Sequence, residues 1–173
     1  MDNRLVTRRA ALTALTALGA FAAAPGIAMA AVPNGSFSSI RIDLTPLRKN
    51  GDDEVADWVA AVLPAALHQS FASYLTPGAR GAPTLVARID QVIIGPSHSG
   101  GFGGNPVQDA IDGIEGVGIV VGPRGQEIAS YPLYSAVGAD TYINMPYQLD
   151  ITRRRVETVA QSFAQWLPGK MGL

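Results

Sequence analysis

Ile114-Glu115-Gly116-Val117-Gly118-Ile119-Val120-Val121, then Gly122-Pro123-Arg124-Gly125, then Gln126 to Val137, is the stretch whose reading decides the fold. The first eight residues are β-branched and apolar apart from Glu115 and two glycines, and they end at a turn made of Gly and Pro. The second run resumes strand chemistry, so the two make a hairpin. Gly116 and Gly118 are two apart, hence on one face of the strand. They leave room on that face for a helix or a neighbouring side chain, or for a ligand. Pro132 cannot donate to a ladder, which marks the fourth strand as an edge or as bulged.

Outward from the hairpin, the pattern falls into a small number of elements. Ser39-Ile40-Arg41-Ile42-Asp43-Leu44 alternates as strand one, with Ile40, Ile42 and Leu44 on one face and Pro46 ending it. Asn50-Gly51-Asp52-Asp53-Glu54 offers a cap and acids at the positive end of a helix. Val55, Trp58, Val59, Val62, Leu63, Leu67, Phe71 and Tyr74 then form one apolar stripe. Pro64 interrupts it, predicting a kinked helix or two shorter ones meeting there. Thr84 to Ile94 is strand two, with Leu85, Ala87, Ile89 and Ile93 expected on one face. Arg88-Ile89-Asp90 echoes Arg41-Ile42-Asp43, which predicts cross-strand charge pairs on the outer face if the two strands are neighbours. Asp150 or Thr152 caps the last helix, whose stripe is Val156, Val159, Ala160, Phe163 and Leu167, and Pro168-Gly169 closes it. The order β-α-β-β-β-α predicts an α+β two-layer sandwich: a mixed sheet of about four strands with two helices on one face.

The first thirty residues differ from the rest. Arg4, Arg8 and Arg9 form a basic head, Ala10 to Ala24 is a weakly apolar run, and Ala28-Met29-Ala30 has the small-x-small form of a signal-peptidase site. The run is too short for a membrane span, which takes about 20 apolar residues. The expectation is a cleaved export signal over 1–30 with Ala28 and Ala30 at the cleavage site. A flexible lead-in follows over 31–37, and a single domain over 38–173. Thr7-Arg8-Arg9-Ala10-Ala11-Leu12 resembles the twin-arginine export motif, with Ala where an aromatic is usual. Such a signal implies a periplasmic or secreted protein. With no Cys after the cleavage site, no lipid anchor is expected.

Composition excludes other classes. The chain has 13 Lys+Arg against 14 Asp+Glu, 16% charged and 47% hydrophobic residues, and no Cys. That is too apolar for a disordered chain. It lacks the basic balance of a nucleic-acid binder and has no thiolate for disulfides, nucleophiles or zinc. The signal takes three bases and one acid with it, moving the formal net charge from −1 to −3.

Chemistry has few places to sit. The loop Gly95 to Pro106 carries Ser97-His98-Ser99, Phe102 and Asn105 among glycines. A phosphate cradle would need a set glycine spacing and a helix N-terminus, and neither is present. A serine hydrolase would need His98 held against a carboxylate, and no Gly-x-Ser-x-Gly elbow exists. His68 reads as a helix-surface residue. Asp109, Asp112 and Glu115 lack loop-ligand spacing, so neither a metal nor a cofactor is expected. Arg153-Arg154-Arg155 stands where cations oppose the helix dipole. A solvated basic face explains it most simply, and the sharper reading is a dock for an anionic group. His98, Phe102, Asn105 and the three arginines are therefore the binding candidates, and no catalytic residue is assigned.

The element order over 38–168, with the glycine-containing hairpin Gly118 to Ile128, resembles small envelope accessory proteins. These are the LptE-like lipopolysaccharide-assembly lipoproteins and the auxiliary components of ABC-type lipid transport. The chain also looks like uncharacterised twin-arginine-exported proteins of Gram-negative bacteria. The resemblance implies a non-catalytic protein supporting an envelope machine, with an envelope protein as partner. Two further classes stay open: a small-ligand or glycan module with loop 95–113 over a floor of Gly116 and Gly118, and a small hydrolase using His98.

Overall fold

The computed structural model describes residues 36–95, 111–138 and 150–173. Strand β1 (Ser39–Asp43) leads into a short helix α1 (Thr45–Lys49) and then helix α2 (Asp53–Ser70). A single 3-10 turn, Ala72–Tyr74, joins α2 to strand β2 (Thr84–Ile93). Strands β3 (Ile111–Val121) and β4 (Glu127–Gly138) and helix α3 (Ile151–Lys170) complete the chain. The sheet order is β1-β2-β3-β4, with β1 parallel to β2 and the other neighbours antiparallel. Helices α2 and α3 pack on each other and on one face of this mixed sheet, the predicted α+β two-layer arrangement.

The core lies between the layers. Val59, Leu63, Leu67 and Phe71 of the first stripe are fully buried, as are Val156, Val159, Ala160, Phe163 and Leu167 of the last. Leu85, Ala87, Ile89, Ile114 and Val120 meet them from the sheet. Phe37, read from sequence as the end of the lead-in, is fully buried. It stands edge-to-face on Phe71 at 5.8 Å. Its N–H donates to Tyr74 O and its carbonyl accepts from Thr76 N–H.

Four local expectations are corrected. Pro46 does not simply end strand one; it sits in the first turn of α1, where its missing N–H costs nothing. That helix escapes a periodicity reading because five residues make barely more than one turn. Asp43 Oδ1 accepts the Thr45 N–H at 2.9 Å just ahead of it. Helix α2 runs through Pro64 as one helix, the first of the two forms expected, with the ring facing solvent and not the packed side. Pro168 likewise lies inside α3, which continues to Lys170.

The third correction concerns β2. A bulge falls between Ile89, opposite Gly116, and Gln91, opposite Glu115, leaving Asp90 as the extra residue. One extra residue reverses the alternation beyond it. Val92 therefore packs on the core while Ile93 is 39% exposed, against the expected face.

The fourth concerns the echoed charges. Asp43 and Arg88 are opposite each other on neighbouring strands. The Arg88 guanidinium nevertheless bonds along its own strand, Nε to Asp90 Oδ1 at 2.8 Å. The Asp90 carboxylate raises the Arg88 pKa, with a smaller contribution from Asp43. Hydrogen bonds from Thr45, aided by the Arg88 charge, hold the Asp43 carboxyl below the usual carboxylate range.

Pro132 lies on β4, an edge strand that is also bulged near its start, where Val120 opposes Ala129 and Val121 opposes Glu127. The room over the third strand is filled by α3. A Cβ built on Gly118 would come within 2.8 Å of Leu167 Cδ1. One built on Gly116 would strike the backbone carbonyl of Arg88 and come within 3.2 Å of Phe163 Cε2. Glycine is required at 116 because the neighbouring backbone cannot withdraw. Gly116→Ala is expected to destabilise by about 1–3 kcal/mol, and Gly118→Ala by less, since the tip of Leu167 can swing aside. Urea unfolding of the two variants checks the order.

Candidate functional site

The structure divides the three consecutive arginines. Successive residues on a helix point about 100° apart, so a run of three cannot share one surface. Arg153 is exposed and its Nε donates to Glu157 Oε1 at 2.8 Å, one turn on. The Glu157 carboxylate raises the Arg153 pKa, and Asp150 adds to it. Arg154 is half-exposed and forms no ion pair among the described residues.

Arg155 turns inward. Its side chain is 7% exposed and meets a fully buried Asp112. Nε donates to Asp112 Oδ2 at 2.8 Å and a terminal nitrogen to Oδ1 at 2.5 Å, a two-pronged match of guanidinium to carboxylate. The same terminal nitrogen donates to Gly95 O at 2.8 Å, while Gly95 N–H donates back to Asp112 Oδ1 at 3.0 Å. The expectation of a wholly solvated basic face is thereby corrected. One of its three members is a buried tie between the end of β2, the start of β3 and the first turn of α3. Asp112 reaches that position because it alternates with Ile114, Gly116 and Gly118 on the helix-facing side of β3.

His98, Phe102 and Asn105 lie outside the described residues, as do Arg8, Arg9, Ala28 and Ala30 of the export signal. The floor assigned to a ligand, Gly116 and Gly118, lies beneath Phe163 and Leu167, so a site resting on it has no space. His68 is exposed near the end of α2, as expected. Among the described residues no group of three His, Asp or Glu converges as a metal site would need. Nor is any helix among them long and apolar enough to cross a membrane.

A surface groove of about 590 Å³ lies between the two long helices. Ala61, Val62, Ala65, Ala66, Gln69 and Ser70 line it from α2, and Gln161 and Gln165 from α3. Its chemistry follows from a feature of the sequence that motif reading passed over. From Trp58 to Ala79, and again from Thr158 to Gly169, there is no Asp, Glu, Lys or Arg. The exposed residues of α2 within that run include Ala60, Ala61, Pro64 and Ala65, where a solvated helix normally carries charge. Pro64 also has no N–H to give to the Ala60 carbonyl. Small side chains let another backbone approach closely, and neutral amides can pair with it. The described lining of the groove carries no acidic or basic side chain. A smaller hollow of about 390 Å³ lies on the other flank of α3, lined by Leu133, Gln165, Trp166, Gly169 and Lys170.

No protein-family model matches the chain. No curated protein matches it either. Among solved structures it is similar to a minor lipoprotein from Acinetobacter baumannii, at 12% identity and a TM-score of 0.38, over 77% of this chain and 94% of that one. It is also similar to "a putative lipoprotein from Caulobacter crescentus CB15", at 15% identity and a TM-score of 0.42, over 79% and 93%.

The buried tie makes a direct prediction. Arg155→Met strands the Asp112 carboxylate and is expected to cost about 3–5 kcal/mol. Adding Asp112→Leu should recover a large part of that loss, since the stranded charge goes with it. Denaturant unfolding of the two single variants and the double one measures the coupling.

Proposed function

We propose that the chain is an exported, non-catalytic accessory protein of the bacterial envelope that works by holding a partner protein. The observation that carries this reading is the charge-free groove between α2 and α3. Protein interfaces are depleted of charge at their centres, because burying an unpaired ion costs more than contact returns. A chain with 16% charged residues that keeps both walls of this groove neutral has a surface suited to burial. The groove is lined by small side chains and three glutamines, which suits a neutral helical or irregular segment of a protein better than a lipid surface. Membrane-binding helices need bulky apolar residues and a basic rim. Arg153 and Arg154, at the solvent side of the head of α3, belong to this reading as contacts for an acidic group on the partner.

The address belongs to the same proposal. Residues 1–30 serve as a twin-arginine signal cleaved after Ala30, delivering the folded domain to the periplasm. The likeness in element order to LptE-like and ABC-transport accessory proteins is an analogy of architecture, in which a sheet with helices on one face supports a larger assembly. Architecture by itself does not assign a role.

Two experiments test it. Replacing Arg8 and Arg9 together with Lys should retain the chain in the cytoplasm with its signal attached. The exported wild type should start at Ala31 on N-terminal sequencing. A photo-crosslinking residue at Ala65 should join the exported protein to a defined envelope protein, and one at Asp52, off the groove, should not. Ala65→Arg should reduce that adduct about tenfold or more without changing the circular dichroism spectrum, a loss of at least 1.4 kcal/mol in binding. Equal adducts at Ala65 and Asp52 would remove the reading.

A further inference from the structure

We propose that two copies of the chain associate through strand β4, pairing Leu133–Gly138 antiparallel with itself about a two-fold axis so that one sheet runs across both copies. The surface lies on the other flank of α3 from the α2–α3 groove and shares only Gln165 with its lining, and the inference is tested independently of it.

The argument begins with the edge. β4 is last in the strand order, and no described strand lies on its outer side. An edge strand presents unpaired N–H and C=O groups, and proteins blunt it with charges, prolines, bulges or brevity. β4 spans twelve residues and carries no Asp, Glu, Lys, Arg or His from Ile128 to Gly138. Its first half is guarded, by the bulge opposite Val120 and Val121 and by Pro132. From Leu133 to Gly138 no charge, proline or bulge interrupts it, and no described strand covers it.

Pro132 also fixes which way the amides point. It has no N–H to give to β3, so its position is one whose N–H direction is outward. The register from Pro132, opposite Val117, to Gly138, opposite Ile111, is unbroken. With a period of two, Tyr134 and Ala136 share that outward direction and offer their N–H and C=O groups to a neighbour.

The flanks agree with an added strand. Tyr134 on the open face of the sheet is 54% exposed, and Trp166 on the helix side is 65% exposed. These two large aromatics stand on opposite faces of the same edge. Between Trp166 and Leu133 lies the hollow of about 390 Å³, with Lys170 the single charge in its lining. A strand laid against Leu133–Gly138 would cover both rings, and its alternate side chains would enter the hollow.

The occupant must be extended, neutral and apolar on the helix side, and Leu133–Gly138 itself has those properties. Leu133 and Val137 point to the helix layer while Tyr134 and Ala136 point to the open face. In a two-fold interface each patch meets its own copy, so a charged edge would oppose itself and a neutral one does not. A register centred within 133–138 also keeps Pro132 at the margin of the pairing.

Sedimentation of the purified protein over a concentration series is the first measurement, with a dimer expected. Ala136→Pro removes an outward N–H at a position equivalent to that of Pro132, so it should give a monomer with an unchanged circular dichroism spectrum. Should that variant fail to fold, Ala136→Cys decides. The chain has no other cysteine, so a short bis-maleimide should link Ala136→Cys into dimers and leave Asp52→Cys unlinked. A wild type that stays monomeric to about 1 mM, where association is worth only about 4 kcal/mol, overturns the proposal. So does a folded Ala136→Pro variant that remains a dimer, or equal linking at the two cysteines. Linking of Ala136→Cys to a different protein assigns the edge to that protein and likewise overturns the second-copy occupant.

Discussion

Helix α3 lies directly on the third strand, and much of the arrangement depends on how closely it does so. Gly116 and Gly118 remove the side chains that would hold it off, and Phe163 and Leu167 descend into the space. That approach sets the position of the sheet's helix-facing side relative to α3 and, through it, to α2. It also brings the first turn of α3 to the level of Asp112, two residues before Ile114 on the same face of β3. The Arg155–Asp112 pair is then a consequence of close packing. Excluded water lets a single guanidinium satisfy one carboxylate and the Gly95 carbonyl together.

A buried ion pair returns little net stability over an apolar replacement, yet breaking half of it is costly. Its effect here is on register. Among the described residues Arg155 is held by Asp112 and the Gly95 carbonyl, and those bonds tie α3 to one position along the strand. The glycines fix the distance between helix and sheet, and the pair fixes the position along it. The neutral groove on the outer side of the helices owes its shape to both, since α2 and α3 are neighbours across it.

Legibility followed the range of the forces involved. The long stripes of α2 and α3 and the alternation of the strands report burial at fixed periods, so the element order and the two-layer class could be read directly. Asp90 shows where that fails. A bulge adds one residue without any composition signal, and Ile93 and Val92 exchange faces because of it. Short helix α1 has too few residues to show a period, and the choice between one helix and two at Pro64 depends on which side of the turn meets solvent, which no local pattern records. The arginine run shows the same limit in a site. All three residues look alike in sequence, and their fates diverge because helical geometry sends one inward to an acid 43 positions earlier.

The sequence by itself determined the element types, the apolar faces, the charge-free runs 58–79 and 158–169, and the resemblance of residues 1–30 to an export signal that motivates an envelope reading. Each of these is set by residues near one another in the chain. Only the tertiary structure decided that the glycine face belongs to a helix and not to a ligand, that Arg155 is a tie and not part of a dock, and that β4 ends the sheet with its neutral half uncovered by any described strand. These are matters of which distant surfaces meet. Close packing resolves them through the fit of particular side chains across elements, and that fit has no period to read in advance.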